Sequence, residues 1–134
     1  MDEFRKKRYH DKINYIAINL KDLSIKPKNE LERRGIFYSL QTSIEAVIDL
    51  VAMLVKDLGF QVNDDSYNIS KIVQIKKIDP KLEENLRKAK GLRNILVYRY
   101  NNVDENLILS SIDDLKQLLY DWLEIIEEIL DEIS

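Results

Sequence analysis

Arg93, Asn94, Tyr98 and Tyr100 are the side chains whose types and spacing best suit chemistry in this chain. They share one stretch, Gly91-Leu92-Arg93-Asn94-Ile95-Leu96-Val97-Tyr98-Arg99-Tyr100, with polar and aromatic groups set around a short aliphatic run. On a continuous helix Arg93 and Tyr100, seven apart, project from one face about two turns apart. Asn94 and Tyr98, four apart, share a neighbouring face. Arg93 and Tyr98 diverge by roughly 140° at 3.6 residues per turn. A bent helix end or a second copy of the chain is needed to bring them together.

The charge around this stretch is lopsided. The net charge is −3, yet Lys71 to Arg99 holds nine Lys/Arg against three Asp/Glu, and Asp104 to Ser134 holds one Lys against ten Asp/Glu. Two readings fit. The two segments are solvated helix faces that pair within the fold, or the basic one meets a polyanion such as RNA. On the first reading Arg93 pairs with an acidic residue of the last helix.

Other chemistries fall away. There is no Cys, so disulfides and thiolate metal sites are excluded. There is no glycine-rich phosphate loop, no Gly-x-Ser-x-Gly and no His pair. His10 stands alone among charged residues and reads as a surface group. Glu45 and Asp49 are four apart and read as a polar flank of a core stripe rather than a metal site. Asn63-Asp64-Asp65-Ser66 lacks the alternating ligands and distal Glu of a calcium loop and reads as a turn and helix cap. No metal and no cofactor are expected. The start of the chain is not a signal peptide, and no run of 18 apolar residues suggests a membrane span.

The elements that must position the stretch are helical. With 134 residues, 3 Gly and 2 Pro, one domain over 1–134 made of a few long helices is expected. A first helix runs from Asp2 to Leu23, with Tyr9, Ile13, Ile16, Leu20 and Leu23 on one stripe. A second starts at Asn29 or Glu30, with Asn29 as cap and Glu32 as its partner, and ends before Gly59. Its dense apolar set from Phe37 to Leu58 makes it the central core helix. A short helix spans Tyr67 to Lys77. Asp79 caps the next, Pro80 opens it, and it carries the Arg93 stretch. Gly91 inside it predicts close approach of another backbone. After a turn at Asn101–Asp104, one last helix runs from Glu105 to Ile133 on an unbroken four-three repeat. Trp122 on that seam is a core anchor.

The order of these features resembles the HEPN superfamily, in its HepT branch, over nearly the whole chain. Glu45-Ala46-Val47-Ile48-Asp49 matches the family's acidic, aliphatic segment on helix two, and Ile78-Asp79-Pro80-Lys81-Leu82 matches the linker before its catalytic helix. The stretch from Gly91 to Tyr100, followed by Val103-Asp104, matches the family signature: Arg, four residues, His, one residue, Tyr, usually with Asn after the Arg. Here the histidine position is Tyr98. The resemblance implies an all-α, HEPN-type antiparallel bundle of four to five helices, dimeric and cytoplasmic. It implies a homodimer whose two motifs form one metal-independent RNA-cutting site, with tRNA or mRNA as substrate. Arg93 would clamp phosphate, Asn94 would orient, and Tyr98 would stand where the acid–base histidine belongs. The implied partner is an MNT-type nucleotidyltransferase antitoxin that attaches AMP to the final tyrosine, Tyr100 by position. The added bulk and charge would sit beside the arginine that receives phosphate. A tyrosine pKa near 10 makes a poor base at neutral pH, and acid–base catalysis worth about 10²–10⁴-fold is at stake. Two functions are therefore the main alternatives, a HepT-like ribonuclease toxin altered at Tyr98, or a catalytically silent HEPN module that binds RNA, nucleotide or a nucleotidyltransferase; a plain scaffold dimer with no nucleic-acid ligand stands behind them.

Overall fold

The computed structural model describes residues 1–98 and 104–134, so the expectations for Tyr100 and for the turn at 101–103 lie outside the described residues. Those residues form six helices and no strand: α1 (Glu3–Asp22), α2 (Glu30–Asp57), α3 (Asp65–Lys76), α4 (Pro80–Tyr98), α5 (Glu105–Ser110) and α6 (Ile112–Ile133). The all-α bundle expected from the sequence is what the chain adopts.

Caps fix the starts. Asp2, Asn29, Asp64 and Asp104 each accept a backbone N–H three residues on, from Arg5, Glu32, Tyr67 and Leu107. Such side chains satisfy donors that the helix leaves unpaired. Because Asp64 is the cap, α3 starts at Asp65, two residues before the expected Tyr67. At the other end of α2, Gly59 takes φ +90°, which a side chain would resist.

α2 is the centre. It packs against α1, α3, α4 and α6. Leu40, Ile44, Val47, Leu50, Val51, Leu54 and Val55 on it are fully buried. By length and hydropathy it would also suit a membrane, but here most of its apolar window is buried against neighbouring helices. α6 closes the core with Leu119, Trp122, Ile126 and Ile129. Trp122 is fully buried, and its indole N–H donates to Leu82 O on α4 at 3.2 Å.

Two expectations are corrected. The last helix is not continuous: Ser111 ends α5 and precedes α6. The hydroxyls of Ser110 and Ser111 both donate to Leu107 O, at 2.8 and 2.9 Å. Such bonds compete with the helical ladder and bend the chain without disturbing the apolar repeat. Gly91 does not mark a close crossing, since a Cβ there would meet nothing within 4 Å.

Candidate functional site

α4 carries the motif, and its course is set at its start. Asp79 accepts from Lys81 N at 2.9 Å, and Pro80 follows at the first helical position, where no N–H is needed. Leu86, Ala89 and Leu96 bury one side of α4 against the core. That leaves a second, polar side facing α2 and the start of α3.

On this side three cations reach one place. Arg87 donates to Ser66 O at 3.0 Å, to Glu83 Oε1 at 3.0 Å and to Ser70 Oγ. Lys90 Nζ lies 3.1 Å from Ser66 Oγ. Arg93 Nη2 donates to Asp65 Oδ2 at 3.2 Å, and its Nη1 lies 3.7 Å from Glu45 Oε1 on α2. The first two tie α4 to the first turn of α3. Ser70 donates to Glu83 at 2.6 Å, and this bond, aided by Arg87, holds the Glu83 carboxyl below the usual carboxylate range.

Arg93 differs from its two neighbours. Its side chain is only 18% exposed and sits between two carboxylates, each of which keeps 37% of its side-chain surface in water. Its Nε is buried with no hydrogen-bond partner among the described residues. A guanidinium has five N–H donors. Among the described residues the contacts to Glu45 and Asp65 leave several of these unspent. The pairing expected with the last helix is thus replaced by pairing with α2 and α3. The exposed faces of α6, with Glu124, Glu127, Glu128 and Asp131, point to solvent. From the basic segment Lys76 reaches α6, pairing with Glu132 at 2.5 Å.

Of the other motif residues, Asn94 is half-buried on α4. Tyr98 ends the helix and is 81% exposed, projecting into solvent while Arg93 turns inward. The two are therefore not brought together within one chain, as the 140° offset requires. Ile95 and Val97 beside Tyr98 are also exposed, so the last turn presents an apolar and aromatic surface. Among the described residues no group of three or more His, Cys, Asp or Glu side chains is placed to hold a metal ion. Asp49 pairs with Lys12 at 3.6 Å rather than with Glu45, which agrees with a polar flank.

Sequence reasoning missed Asp65 as a partner of Arg93, because the pair spans 28 residues and has no local signature. It also missed a row on α2. Arg34, Tyr38, Gln41 and Glu45 follow at spacings of four, three and four, and so share one face. The first three of these, with Phe37 and Leu96, line a cavity of about 310 Å³ between α2 and α4. That spacing was readable, but it lay under the stronger apolar pattern of the same helix.

Comparison with known proteins identifies the chain's family. A family model described as HepT-like, "Ribonuclease HepT-like", matches residues 7–130. An Archaeoglobus fulgidus protein named "Putative RNase" is 45% identical over 130 residues, 97% of this chain and 98% of its own length. A second protein of that name from the same organism is 36% identical over 115 residues, covering 85% and 87%. A Methanocaldococcus jannaschii protein, also named as an RNase in this way, is 38% identical over 72 residues, covering 53% of this chain and 83% of its own. No solved structure matches the chain. With its helical bundle, its motif on α4 and a family match across almost its full length, the chain belongs to the HepT-like ribonuclease family of the HEPN superfamily.

Proposed function

We propose that this RNase-type HEPN protein is the toxin of a toxin–antitoxin pair, cutting RNA at a site completed by a second copy of the chain. The observation that carries the reading is Arg93: a family-motif cation held beside α2 and α3, with donors unspent among the described residues. In this reading the fork binds the scissile phosphate. Asn94 orients the attacking 2′-hydroxyl. That oxygen bonds to the adjacent phosphorus as the bond from phosphorus to the 5′-oxygen breaks; the 2′-hydroxyl proton passes to solvent water, and the departing 5′-oxygen takes a proton from water. Tyr98 stands where the family uses histidine for these transfers, and its hydroxyl donates a hydrogen bond to the departing oxygen. The exposed Ile95, Val97 and Tyr98 suit contact with a second copy, which brings its Tyr98 toward the first chain's Arg93. An MNT-type nucleotidyltransferase silences the site by attaching AMP to Tyr100.

A second reading has its own support: a silent module that binds RNA, nucleotide or the transferase. Tyrosine replaces the motif histidine, and the two carboxylates at Arg93 compete with a phosphate.

One experiment separates the two. Purified protein is incubated with tRNA and total RNA in the presence of a chelator, beside Arg93→Ala and Tyr98→His. Cleavage by the native chain that is lost in Arg93→Ala supports the nuclease. Activity found only in Tyr98→His shows an intact site whose base is missing. Silence in all three, with RNA retained on the native chain, supports the binding module. A mass increase on Tyr100 after incubation with the transferase and ATP tests the regulatory step.

A further inference from the structure

The cavity between α2 and α4 lies next to Arg93 along both helices. Leu96 in its floor is three residues beyond Arg93, about one turn. Gln41 on its rim is four residues before Glu45, the carboxylate that Arg93 faces, or about 6 Å along α2. The floor is apolar: Phe37 is 1% and Leu96 3% exposed. The rim is not. Tyr38 stands 63% exposed, the Gln41 amide offers both a donor and an acceptor, and Arg34 adds a cation. Among the described residues Arg34 pairs with its own-helix neighbour Glu30, at 3.4 Å, with 66% of its side chain in water.

A tyrosine face, an amide edge and an arginine around a small apolar floor are the parts from which proteins build sites for unstacked bases. We infer that this cavity is a nucleobase subsite for single-stranded RNA: Tyr38 stacks on an unpaired base, Gln41 hydrogen-bonds its edge, and Arg34 holds a phosphate flanking the one at Arg93. The volume sits at the lower end of the range for ligand sites and suits one ring system rather than a duplex. The inference rests on the RNA-binding reading above and deepens it. It makes the substrate an RNA with an unpaired nucleotide next to the bond at Arg93.

The test uses a fluorescein-labelled 2′-O-methyl oligonucleotide, which cannot be cut, and the same backbone with abasic sugars. Binding is followed by anisotropy for the native chain, Tyr38→Ala, Tyr38→Phe, Gln41→Ala and Arg93→Ala. Tyr38→Ala is expected to weaken binding about tenfold on the base-bearing strand and to leave the abasic strand unchanged. Tyr38→Phe keeps the affinity, and Gln41→Ala alters the ranking among A, C, G and U homopolymers. Equal affinities for native and Tyr38→Ala, with Arg93→Ala impaired, overturn the subsite while the RNA reading stands. No binding by the native chain overturns both. AMP alone binding as tightly as the strand assigns the cavity to free nucleotide and overturns it. Loss of a native dimer in Tyr38→Ala, seen by sedimentation, assigns the face to contact between copies and also overturns it.

Discussion

Two charged clusters pack against α2, one at each side of the bundle, and they are built on different terms. At the C-terminal end of α2 the fully buried Tyr9 donates its hydroxyl to Asp57 Oδ2 at 2.5 Å, and Arg5 Nε donates to the same oxygen at 2.8 Å. Burial raises the Tyr9 hydroxyl pKa, reinforced by its bond to Asp57. Burial also pushes Asp57 up, but the hydrogen bonds from Arg5 and Tyr9 outweigh it and leave that carboxyl below its ordinary value. One carboxylate takes two donors, and the group closes on itself. Midway along α2 the ratio is reversed. One guanidinium, Arg93, meets two carboxylates, and its Nε has no hydrogen-bond partner among the described residues. In the first cluster a single carboxylate gathers both donors and ties α1 to the end of α2. In the second a single cation is held between two carboxylates that solvent also reaches, which suits the phosphate contact proposed above.

The contrast can be tested at both ends. The largest effect is expected at the motif. Tyr98→His supplies a base that titrates near neutrality, and the cleavage rate should rise by about 10²–10⁴-fold, read in single-turnover RNA assays. An unchanged rate would detach the site from acid–base chemistry. Next comes Asp57→Asn, which should lower unfolding free energy by about 2 kcal/mol in urea while RNA affinity stays the same. Its pH dependence has a definite sign. The folded pKa of Asp57 is depressed, so its stabilisation is complete above the unfolded value near 4 and is lost as pH falls through the lower, folded value. The acid limb of the stability curve should therefore be shallower in Asp57→Asn than in the native chain.

Smaller effects sharpen the other side. Arg93→Ala should change stability by no more than about 1 kcal/mol, since solvent reaches both carboxylates it leaves behind. A loss as large as that of Asp57→Asn would make Arg93 a structural group after all. The smallest is Asp65→Asn. It removes one anion that competes with phosphate, and RNA affinity at fixed salt should rise about threefold. A fall would instead make Asp65 a support that Arg93 needs.

What could be read from the chain follows from the range of the forces involved. The helices were legible because caps and apolar periods act over three or four residues: Asn29, Asp79 and Gly59 stand where expected. Trp122 was legible as a core anchor for the same reason. The break at Ser111 was not, because two hydroxyls bonding to Leu107 O leave the four-three apolar repeat intact. Nor were the partners of Arg93. Glu45 and Asp65 come to it from two other helices, and only the packing of α3 and α4 on α2 decides which carboxylates meet that fork. The motif itself named the residue types of the candidate site, while their surroundings required the fold.

The chain's one tryptophan has an optical consequence. Trp122 is sealed from water, with its indole N–H on Leu82 O between α6 and α4. Its emission should be blue-shifted in the native state and should move to the red only when α6 leaves α4. Intrinsic fluorescence is thus a direct clock for unfolding. It does not belong to the residues around Arg93, so a ligand arriving there must carry its own fluorophore to be seen.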